Sequence, residues 1–372
     1  MPNRSHAITH RTWVEIHPEA LLHNLRELRA AVGREIGVIA VVKANAYGHG
    51  IAIVAKTLAP HVDMLAVANV AEACEVHALE PAVPTLILSP ALPAERAEIV
   101  AQGFIPLVSN AEEAVAYSAL ARIVPAPIHL KLDTGMGRAG VWHEDAAAML
   151  REIKSLRGVE ITALASHLPV ADEDDAFTSA QLAVIHRCAS RLREAGLTGV
   201  PLHVANTAGA IGFGEQAGDF LRLGLGLYGS SSRPEFQTRL QPALTWKTRV
   251  ALIRDLPAGC GISYGRTFLT PRPMRVAVLA VGYADGYRRH LSGQNAHVLI
   301  EGKRCPVLGR VTMDQIVVDI GAVPGIAVGA EVVLLGRQGE EEITAGDLAF
   351  RAGTIAWDIF TGIGPRVQRM VS

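Results

Sequence analysis

The stretch "IGVIAVVKANAYGHG", residues 36–50, runs from an apolar segment directly into a lysine and a glycine-containing turn. A continuous apolar run is typical of a strand covered on both faces, as in a parallel sheet. A lysine is seldom buried unless it is paired or takes part in chemistry. Lys43 is therefore either a strand-end lysine whose ammonium reaches water, or an amine in a partly dry pocket that attacks a carbonyl or moves a proton.

Seven further apolar runs follow, and helical stretches lie between most of them. The runs are "MLAVA" (64–68), "TLIL" (85–88), "FIPLV" (104–108), "PIHLKL" (127–132), "VEITALA" (159–165), "PLHVA" (201–205) and "DFLRLGLGL" from residue 219. Asn110 and Glu113 have the spacing of a capping box, and Gly196 is a typical C-cap for a helix over 174–196. Alternating strands and helices predict parallel βα units. Eight units in roughly 200–250 residues predict an α/β fold of the (β/α)₈ TIM type, with an open doubly wound sheet as the alternative.

The pattern changes at about residue 243. Strand-like runs such as "WKTRVALIRDL", "MRVAVLAVGY", "IVVDI" and "EVVLLG" are now separated by turns, without intervening helices. This predicts a mostly β C-terminal domain. We expect an α/β-barrel domain over 18–242 and a β-rich domain over 243–372.

The composition excludes several classes of protein. With 49% hydrophobic and 19% charged residues among 372, the chain can bury a sizeable core. A formal net charge of −1 gives no indication of a nucleic-acid or anionic-membrane surface. No apolar run approaches the ~20 residues of a membrane span, and the four cysteines form no CxxC motif. The first 17 residues contain no apolar h-region, so we expect no secretory signal and a cytoplasmic location.

Chemically useful side chains follow the predicted barrel strands, where barrel enzymes place their active sites. They are Lys43, the segment "DTGMGR" (133–138), His167, the pair "NT" (206–207) and Arg222. Taken singly, His167 could be a core histidine and Arg222 a member of a structural ion pair. Together they place cations and hydroxyls around one mouth, which suits an anionic ligand. Glycines in "DTGMGR" and "RLGLGLYG" (222–229) permit close backbone approach, but they match no established phosphate-loop pattern.

Six motifs together resemble the alanine racemase family: "VVKANAYGHG" (41–50), "KLDTGMGR" (131–138), "RLGLGLYG" (222–229), "GISYGRT" (261–267), "VGYADG" (281–286) and "GRVTMDQ" (309–315). They occur in family order, so the resemblance covers essentially the whole chain. It implies a barrel followed by a β domain that the segment 11–17 joins. It also implies pyridoxal 5′-phosphate as cofactor, alanine as substrate, and a homodimer with shared active sites.

The resemblance implies specific roles for four residues. Lys43 would hold the cofactor covalently and then serve as one base. Tyr264, from the partner subunit, would be the second base on the opposite face of the substrate. His167 would hydrogen-bond to Tyr264, and Arg222 would link His167 to the pyridine nitrogen of the cofactor. An arginine stays protonated, so that ring nitrogen would remain unprotonated, which favours racemisation over transamination.

The remaining roles follow from the same resemblance. The phosphate would be held by the side chains and backbone amides of Tyr47, Asn206, Thr207, Gly224 and Leu225. The substrate carboxylate would face Arg138 and Met313, with Asp314 supporting them, although Asp314 could be a turn former only. Lys131 corresponds to a lysine that is carbamylated in many relatives, and an ordinary solvated lysine is the alternative. Trp357 stands where the family typically has a tyrosine near the phosphate and the substrate entrance, which leaves substrate size selection open.

The resulting prediction is a racemase that interconverts L- and D-alanine by two bases and supplies D-alanine for peptidoglycan synthesis. A non-catalytic barrel protein that binds pyridoxal phosphate, and a racemase of broader amino-acid specificity, are the alternatives. A decarboxylase would require an acidic residue at the position of Arg222, and a barrel aldolase would carry no such cofactor. We expect neither a metal site, nor a nucleic-acid partner, nor a membrane partner.

Overall fold

The computed structural model describes residues 10–33 and 35–372. The expectation that no signal segment precedes the domains concerns residues 1–9 in part, and these lie outside the described residues. The chain divides into two compact units. One comprises Glu19–Ala46 and Ile51–Gln241, and the other comprises Pro242–Ser372, Tyr47–Gly50 and the described residues before Glu19. Within the described ranges, no helix has the length and apolar character needed to cross a membrane.

The first unit is a closed barrel of eight parallel strands. The described chain begins with β1 (Thr12–Ile16), which belongs to the other unit, and α1 (Pro18–Val32). The barrel strands are β2 (Gly37–Val41), β3 (Met64–Val67), β4 (Thr85–Ile87), β5 (Ile105–Val108), β6 (Ala126–Asp133), β8 (Val159–Ala165), β9 (Leu202–His203) and β10 (Phe220–Leu223). A short β7 (Val141–Trp142) pairs with the end of β6. Parallel pairing of β10 with β2 and of β5 with β6 closes the ring, which confirms the predicted (β/α)₈ fold and excludes the open sheet.

Helices connect most of the barrel strands. They are α2 (Ile51–Leu58), α3 (Val70–Leu79), α4 (Arg96–Gln102), α5 (Ala111–Leu120), α6 (Ala146–Lys154), α7 (Asp175–Glu194), α8 (Thr207–Phe213) and α9 (Pro234–Gln237). The side chain of Asn110 caps α5 by accepting the Glu113 N–H. The carboxylate of Glu113 accepts the N–H of Ser109 rather than that of Asn110, so the box closes one residue earlier than its spacing predicts. The predicted helix over 174–196 is α7, with Asp174 as its N-cap.

Burial explains why these strands are continuously apolar. Val38, Ile39 and Ala40 of β2 are all fully buried, because one face looks into the barrel and the other meets the surrounding helices. The inward faces of β6, β9 and β10 differ, since they carry buried polar side chains: His129, Lys131, His203 and Arg222. Burying such groups is costly unless they are hydrogen-bonded, so their positions must be explained by specific contacts.

The second unit is built on an antiparallel sheet. Its further strands are β11 (Leu244–Leu256), β12 (Gly261–Ile262), β13 (Phe268–Leu269), β14 (Met274–Leu279), β15 (His297–Ile300), β16 (Lys303–Leu308), β17 (Ile316–Asp319), β18 (Glu331–Gln338), β19 (Glu341–Ile343) and β20 (Gln368–Val371). The strand order is β19-β18-β15-β16-β17-β14-β11-β1-β20, and β18 also pairs with β11, which closes a ring of six strands. β1 pairs antiparallel with β11 and parallel with β20. Buried and half-buried residues alternate along the first half of β11, as expected for an antiparallel strand.

Two features of this unit differ from the sequence pattern. The apolar run over 274–283 forms a strand only as far as Leu279, and the chain then turns at Gly282, whose N–H donates to Asp285. Two helices, α10 (Ala345–Ala352) and α11 (Ala356–Thr361), follow the last predicted strands, and the sequence analysis predicts neither. α10 has a full capping box between Thr344 and Asp347, a signal present in the sequence.

Candidate active site

A left-handed turn follows the first barrel strand and begins at Lys43. Ala44, Asn45 and Ala46 have φ near +52° and ψ near +50°, and Tyr47 has φ +53°. Each non-glycine residue in this conformation costs about 1–2 kcal/mol. Such a turn persists only when its surroundings hold it, and strained backbone of this kind is concentrated at functional sites.

Hydrogen bonds at both ends of the turn hold it in place. The Ala44 N–H donates to the carboxylate of Glu72 at 2.7 Å. The side-chain oxygen of Asn45 accepts the N–H of Ile51 at 2.7 Å, at the start of α2. The Ala46 N–H donates to the carbonyl of Val42 at 2.8 Å. The backbone beside Lys43 is thereby fixed by contacts from β2, α2 and α3.

The amine of Lys43 lies in a partly buried, positively charged environment. Burial and the nearby guanidinium of Arg138 lower its pKa from the ordinary value, and the carboxylate of Glu72 acts in the opposite direction. The net shift increases the neutral fraction of the amine, the form that attacks a carbonyl. Lys43 is thus half-buried, and the chemical role predicted for it stays a prediction.

Arg222 is the centre of a buried hydrogen-bond cluster. Its Nη1 contacts the ring Nδ1 of His203 at 2.6 Å and donates to the carbonyl of the same residue at 2.8 Å. Its Nη2 contacts the His167 Nδ1 at 3.0 Å and donates to the carbonyls of Ser166 and Val204 at 2.6 and 2.8 Å. Burial lowers the pKa of Arg222 to about 10, so it remains a cation at neutral pH. In the described part of the chain none of these contacts uses its Nε–H, which leaves this donor for a ligand.

The guanidinium determines the tautomers of the histidines around it. A guanidinium nitrogen cannot accept a hydrogen bond, so the Nδ1 atoms of His203 and His167 that face it carry no proton, and the protons of both neutral rings lie on Nε2. The Nε2–H of His203 then donates to the Nδ1 of His129 at 2.9 Å. Burial and the charge of Arg222 lower the pKa of all three rings, that of His129 to about 3. The three histidines are therefore neutral, and His167 presents an N–H donor.

Lys131 lies on the inward face of β6, two residues after His129. It is buried, and burial together with Arg222 and Arg138 lowers its pKa well below the ordinary value, while Asp133 raises it. Asp133 accepts the backbone N–H groups of Gly135, Met136 and Gly137 at 3.0–3.2 Å, so its carboxylate is committed to the "DTGMGR" turn. Lys131 thus shares a cationic region with two arginines. Arg138 itself is exposed.

A second polar cluster supports the backbone before His167. The hydroxyl of Thr134 contacts that of Ser166 at 2.9 Å, and the Ser166 hydroxyl donates to the carbonyl of Leu132 at 3.0 Å. The side-chain amide of Gln181, from α7, donates to the Thr134 hydroxyl and to the carbonyl of His167. These bonds join the ends of β6 and β8 and so restrict the position of His167.

Asn206 and Thr207 lie at the start of α8, next to the glycine-rich end of β10. The side chain of Asn206 accepts the Gly209 N–H as N-cap of α8. The hydroxyl of Thr207 accepts the N–H groups of Gly224 and Gly226, each at 3.3 Å. Both hydrogen bonds are long, so each amide N–H remains able to donate to a stronger, anionic acceptor. A Cβ at Gly226 would lie 2.6 Å from the Thr207 methyl carbon, so only glycine permits this approach. Leu225 is buried between the two glycines.

The other predicted residues belong to the second unit. Tyr47 is buried, and burial raises its pKa to about 12. Tyr264 is 73% exposed and lies in a short turn stabilised by the Ser263 hydroxyl, which donates to the carbonyl of Arg310. The Met313 carbonyl accepts the N–H of Ala284.

Asp314 and Trp357 complete this set. Arg366 donates to Asp314 at 2.7 Å and to the nearly buried Asp285 at 2.9 Å, and it ties the two turns together. Asp314 is therefore more than a turn former within this unit. Trp357 lies in the first turn of α11, and its carbonyl accepts the Thr361 hydroxyl.

In the barrel unit the charges of Lys43, Lys131 and Arg222 all act on the ring of His167. Thr207 lies at the start of α8, where its hydroxyl contacts the glycines that follow Arg222. Three residues of the cluster were not predicted from the sequence: Glu72, His129 and His203. The two histidines alternate with apolar residues inside predicted strands, and a polar residue at an inward position is the signal that could have identified them. No group of His, Cys, Asp and Glu within 10–33 and 35–372 is placed to hold a metal ion.

Comparison with known proteins agrees with this architecture. The alanine racemase N-terminal domain matches residues 16–232, and the alanine racemase C-terminal domain matches residues 243–371. An alanine racemase of Methylacidiphilum infernorum is 40% identical over 362 residues, which is 96% of this chain and 92% of that protein.

Two solved structures superpose closely. The alanine racemase of Bacillus anthracis with bound L-Ala-P is 32% identical, with a TM-score of 0.89, and the alignment covers 97% of this chain and 94% of that one. The alanine racemase of Bartonella henselae with covalently bound pyridoxal phosphate is 26% identical, with a TM-score of 0.89, and the alignment covers 98% and 100% of the chains.

The first unit is a (β/α)₈ barrel with a cationic mouth and a half-buried lysine, and the second unit is mostly β. These features define the class of barrel enzymes that carry a second, β-rich domain. The family matches narrow this class, since they span nearly the whole chain. This chain belongs to the alanine racemase family, and it is an isomerase that acts on amino acids.

Proposed function

We propose that this enzyme interconverts L-alanine and D-alanine with pyridoxal 5′-phosphate as cofactor, and that it supplies D-alanine for peptidoglycan synthesis in the cytoplasm. The observation that carries the proposal is the half-buried Lys43 at the left-handed turn after β2, in a member of this family whose barrel also holds the buried Arg222–His167 contact. Burial and the guanidinium of Arg138 lower the pKa of the Lys43 amine. The substrate analogue in the Bacillus anthracis enzyme and the cofactor in the Bartonella henselae enzyme support it.

The residues of the barrel fit the cofactor. Lys43 supplies an amine with increased neutral fraction for attachment to the cofactor aldehyde. Thr207 and the amides near Gly224 and Leu225 would supply donors for the phosphate, with Asn206 at the edge. Tyr47, which belongs to the second unit, is proposed as a further donor. The unused Nε–H of Arg222 suits the pyridine nitrogen as an acceptor. When bound, the cofactor withdraws electron density from the substrate α-carbon and makes its proton removable.

Two bases then handle the α-proton. We assign removal of the proton from D-alanine to the Lys43 amine and removal from L-alanine to the Tyr264 phenol of the partner subunit. A free tyrosine has a pKa of about 10 and needs a donor to stabilise its phenolate. The Nε2–H of His167 is such a donor, because Arg222 holds the Nδ1 of that ring as an acceptor.

Arg138, Met313 and Asp314 are assigned to the substrate carboxylate. Buried Lys131 lies in the same cationic region as Arg138, and a carbamate on Lys131 would make it an anionic partner for that arginine. Trp357 differs from the tyrosine typical of the family, because an indole N–H donates but cannot accept a hydrogen bond. Trp357 nevertheless keeps an aromatic wall at the proposed substrate entrance, so we propose alanine as the preferred substrate, with broader amino-acid specificity as the outcome to be tested.

We further propose that the functional domains are the barrel over 18–242 and the β-rich domain over 243–372, which residues 11–17 join. The pairing of β1 with β11 and β20 supports the last point. The active enzyme would be a homodimer in which each barrel receives Tyr264 from the other chain.

The decisive test combines cofactor labelling with turnover. Borohydride reduction of the enzyme saturated with pyridoxal phosphate should fix the cofactor on Lys43, and peptide mapping should find none on Lys56 or Lys131. Racemisation measured over a panel of L-amino acids should favour alanine roughly 10- to 200-fold over long side chains. A label on another lysine would overturn the site assignment, and absence of turnover with bound cofactor would favour the non-catalytic alternative.

A further inference from the structure

Two barrel helices begin with the same capping arrangement. At the start of α3, the side chain of Asn69 accepts the N–H of Glu72 at 3.0 Å. The Glu72 carboxylate reaches back and its Oε2 accepts the Ala68 N–H at 2.8 Å. The first bond satisfies a donor that a helix N-terminus leaves unpaired, and the second holds the backbone of the residue before the N-cap.

The start of α5 repeats this arrangement. Asn110 accepts the N–H of Glu113 at 2.8 Å, and Oε2 of Glu113 accepts the N–H of Ser109 at 2.7 Å. Residue types, spacing and distances agree closely in the two helices. The capping function alone therefore predicts the same importance for both glutamates.

The two glutamates differ in their second carboxylate oxygen. Oε1 of Glu72 accepts the N–H of Ala44 at 2.7 Å, the first residue of the left-handed turn after Lys43. Oε1 of Glu113 has no hydrogen bond to a residue that the structure describes. One carboxylate thus joins the end of β3, the start of α3 and the strained turn beside Lys43.

We propose that Glu72 is a positioning residue for Lys43, which holds the left-handed turn in place and balances the positive charge around the amine. The inference rests on the proposed role of Lys43 in cofactor attachment. Without this acceptor, the Ala44 N–H would lose a charge-assisted hydrogen bond, and the left-handed residues would lose a support on the side of β3. The glutamate acts through the turn and makes no contact with reacting atoms.

The charge of Glu72 should also affect the pKa of Lys43, independently of the hydrogen bond to the turn. Burial and Arg138 lower the pKa of Lys43, and Glu72 raises it. Neutral glutamine at position 72 removes the negative charge that favours the ammonium form of Lys43. The pKa of Lys43 should then fall further, and its amine should become neutral at a lower pH.

Hydrogen exchange of the cofactor-free enzyme tests the turn directly. In Glu72→Ala the amide of Ala44 should exchange at least about tenfold faster than in the unchanged protein, a difference equivalent to about 1.4 kcal/mol. Glu113→Ala is the matched control, because it removes the same cap from α5 and should leave this amide unchanged. Equal exchange of Ala44 in both variants would overturn the proposal.

Glu72→Gln tests the charge while it preserves the size of the side chain. The rate at which the cofactor-free enzyme attaches pyridoxal phosphate, followed by absorbance over a pH series, should have its midpoint shifted to lower pH. Glu113→Gln should keep the midpoint of the unchanged enzyme. An unshifted midpoint in Glu72→Gln would contradict the charge role, and a purely structural defect would reduce the amplitude without moving the midpoint.

The proposed function and the proposed role of Glu72 can fail separately. If borohydride fixes no cofactor on Lys43 of the unchanged enzyme, the proposed function is wrong, and the exchange of Ala44 still decides whether Glu72 holds the turn. If the label is on Lys43 but both Glu72 variants behave like the Glu113 controls, the proposed function stands and the role of Glu72 is refuted.

Discussion

His129 is the last residue in a series of hydrogen bonds that runs from Arg222 through His203. Its Nδ1 accepts from His203, and its buried Nε2 has no partner among the described residues. Burial and Arg222 lower its pKa to about 3. Such a ring must remain neutral in the folded protein and becomes protonated when the chain unfolds in mild acid.

The pH dependence of stability tests this neutral state. The folded-state pKa of His129 lies below the unfolded value of about 6.5, so its contribution is complete above pH 6.5 and decreases as the pH falls. His129→Asn retains an acceptor for His203 but does not titrate. Between pH 6 and 4.5, we expect the unfolding free energy of the variant to fall less steeply, by about 1.4 kcal/mol per pH unit. Equal slopes in denaturant titrations would show that His129 already carries a proton when folded.

Tyr264 tests the two-base proposal at the scale of one functional group. Tyr264→Phe retains the ring and removes the only titratable group that we assign to that face of the substrate. In deuterated water the variant should still exchange the α-proton of D-alanine, fail on L-alanine and lose racemisation. Exchange of both enantiomers at similar rates would mean that a single base serves both faces.

The left-handed turn 43–47 differs from an ordinary connection between a barrel strand and the helix that follows it. Ala44 is exposed and has φ +52°, a conformation that costs an alanine about 1–2 kcal/mol and a glycine almost nothing. Glycine also lowers the unfolding free energy by about 0.5–1 kcal/mol, because it gives the unfolded chain more conformational freedom.

Ala44→Gly should therefore leave the enzyme as stable or raise its unfolding free energy by up to about 1 kcal/mol, measured by urea denaturation. Ala148→Gly is the control of opposite sign. Ala148 is exposed in the right-handed helix α6, where the same substitution should cost about 1 kcal/mol. Similar losses in both variants would mean that the turn carries no strain of this kind.

At the scale of the whole molecule, the proposed homodimer needs both chains to form one active site. Lys43→Ala and Tyr264→Phe should each be inactive alone, because each lacks one base. Mixed under conditions in which subunits exchange, they should regenerate up to about a quarter of the unmodified activity, since a hybrid dimer retains one intact site out of two and hybrids form half of a random mixture. No recovery, with subunit exchange demonstrated by differently tagged chains, would refute the shared site.

The sequence predicts the fold well because its periodicities reflect burial. All eight barrel strands occur where continuous apolar runs predict them, because strands covered on both faces must be apolar throughout. The helices α10 and α11 were harder to predict, since they are short and packing stabilises short helices more than intrinsic propensity does. The end of the β14 run at Leu279 depends on a side-chain contact of Asp285, which no local pattern shows.

The sequence by itself determined the order of the strands, the residues at their ends and the resemblance to a family, because these are properties of local pattern and motif. Only the tertiary structure decided which groups act on one another. Arg222 contacts His203 and His167 from neighbouring strands and so sets their tautomers. Glu72 reaches Ala44 across 28 positions of the chain. Hydrogen bonds and charges act over a few ångströms of space, and only the side-by-side packing of the barrel strands brings residues this distant in sequence within that range.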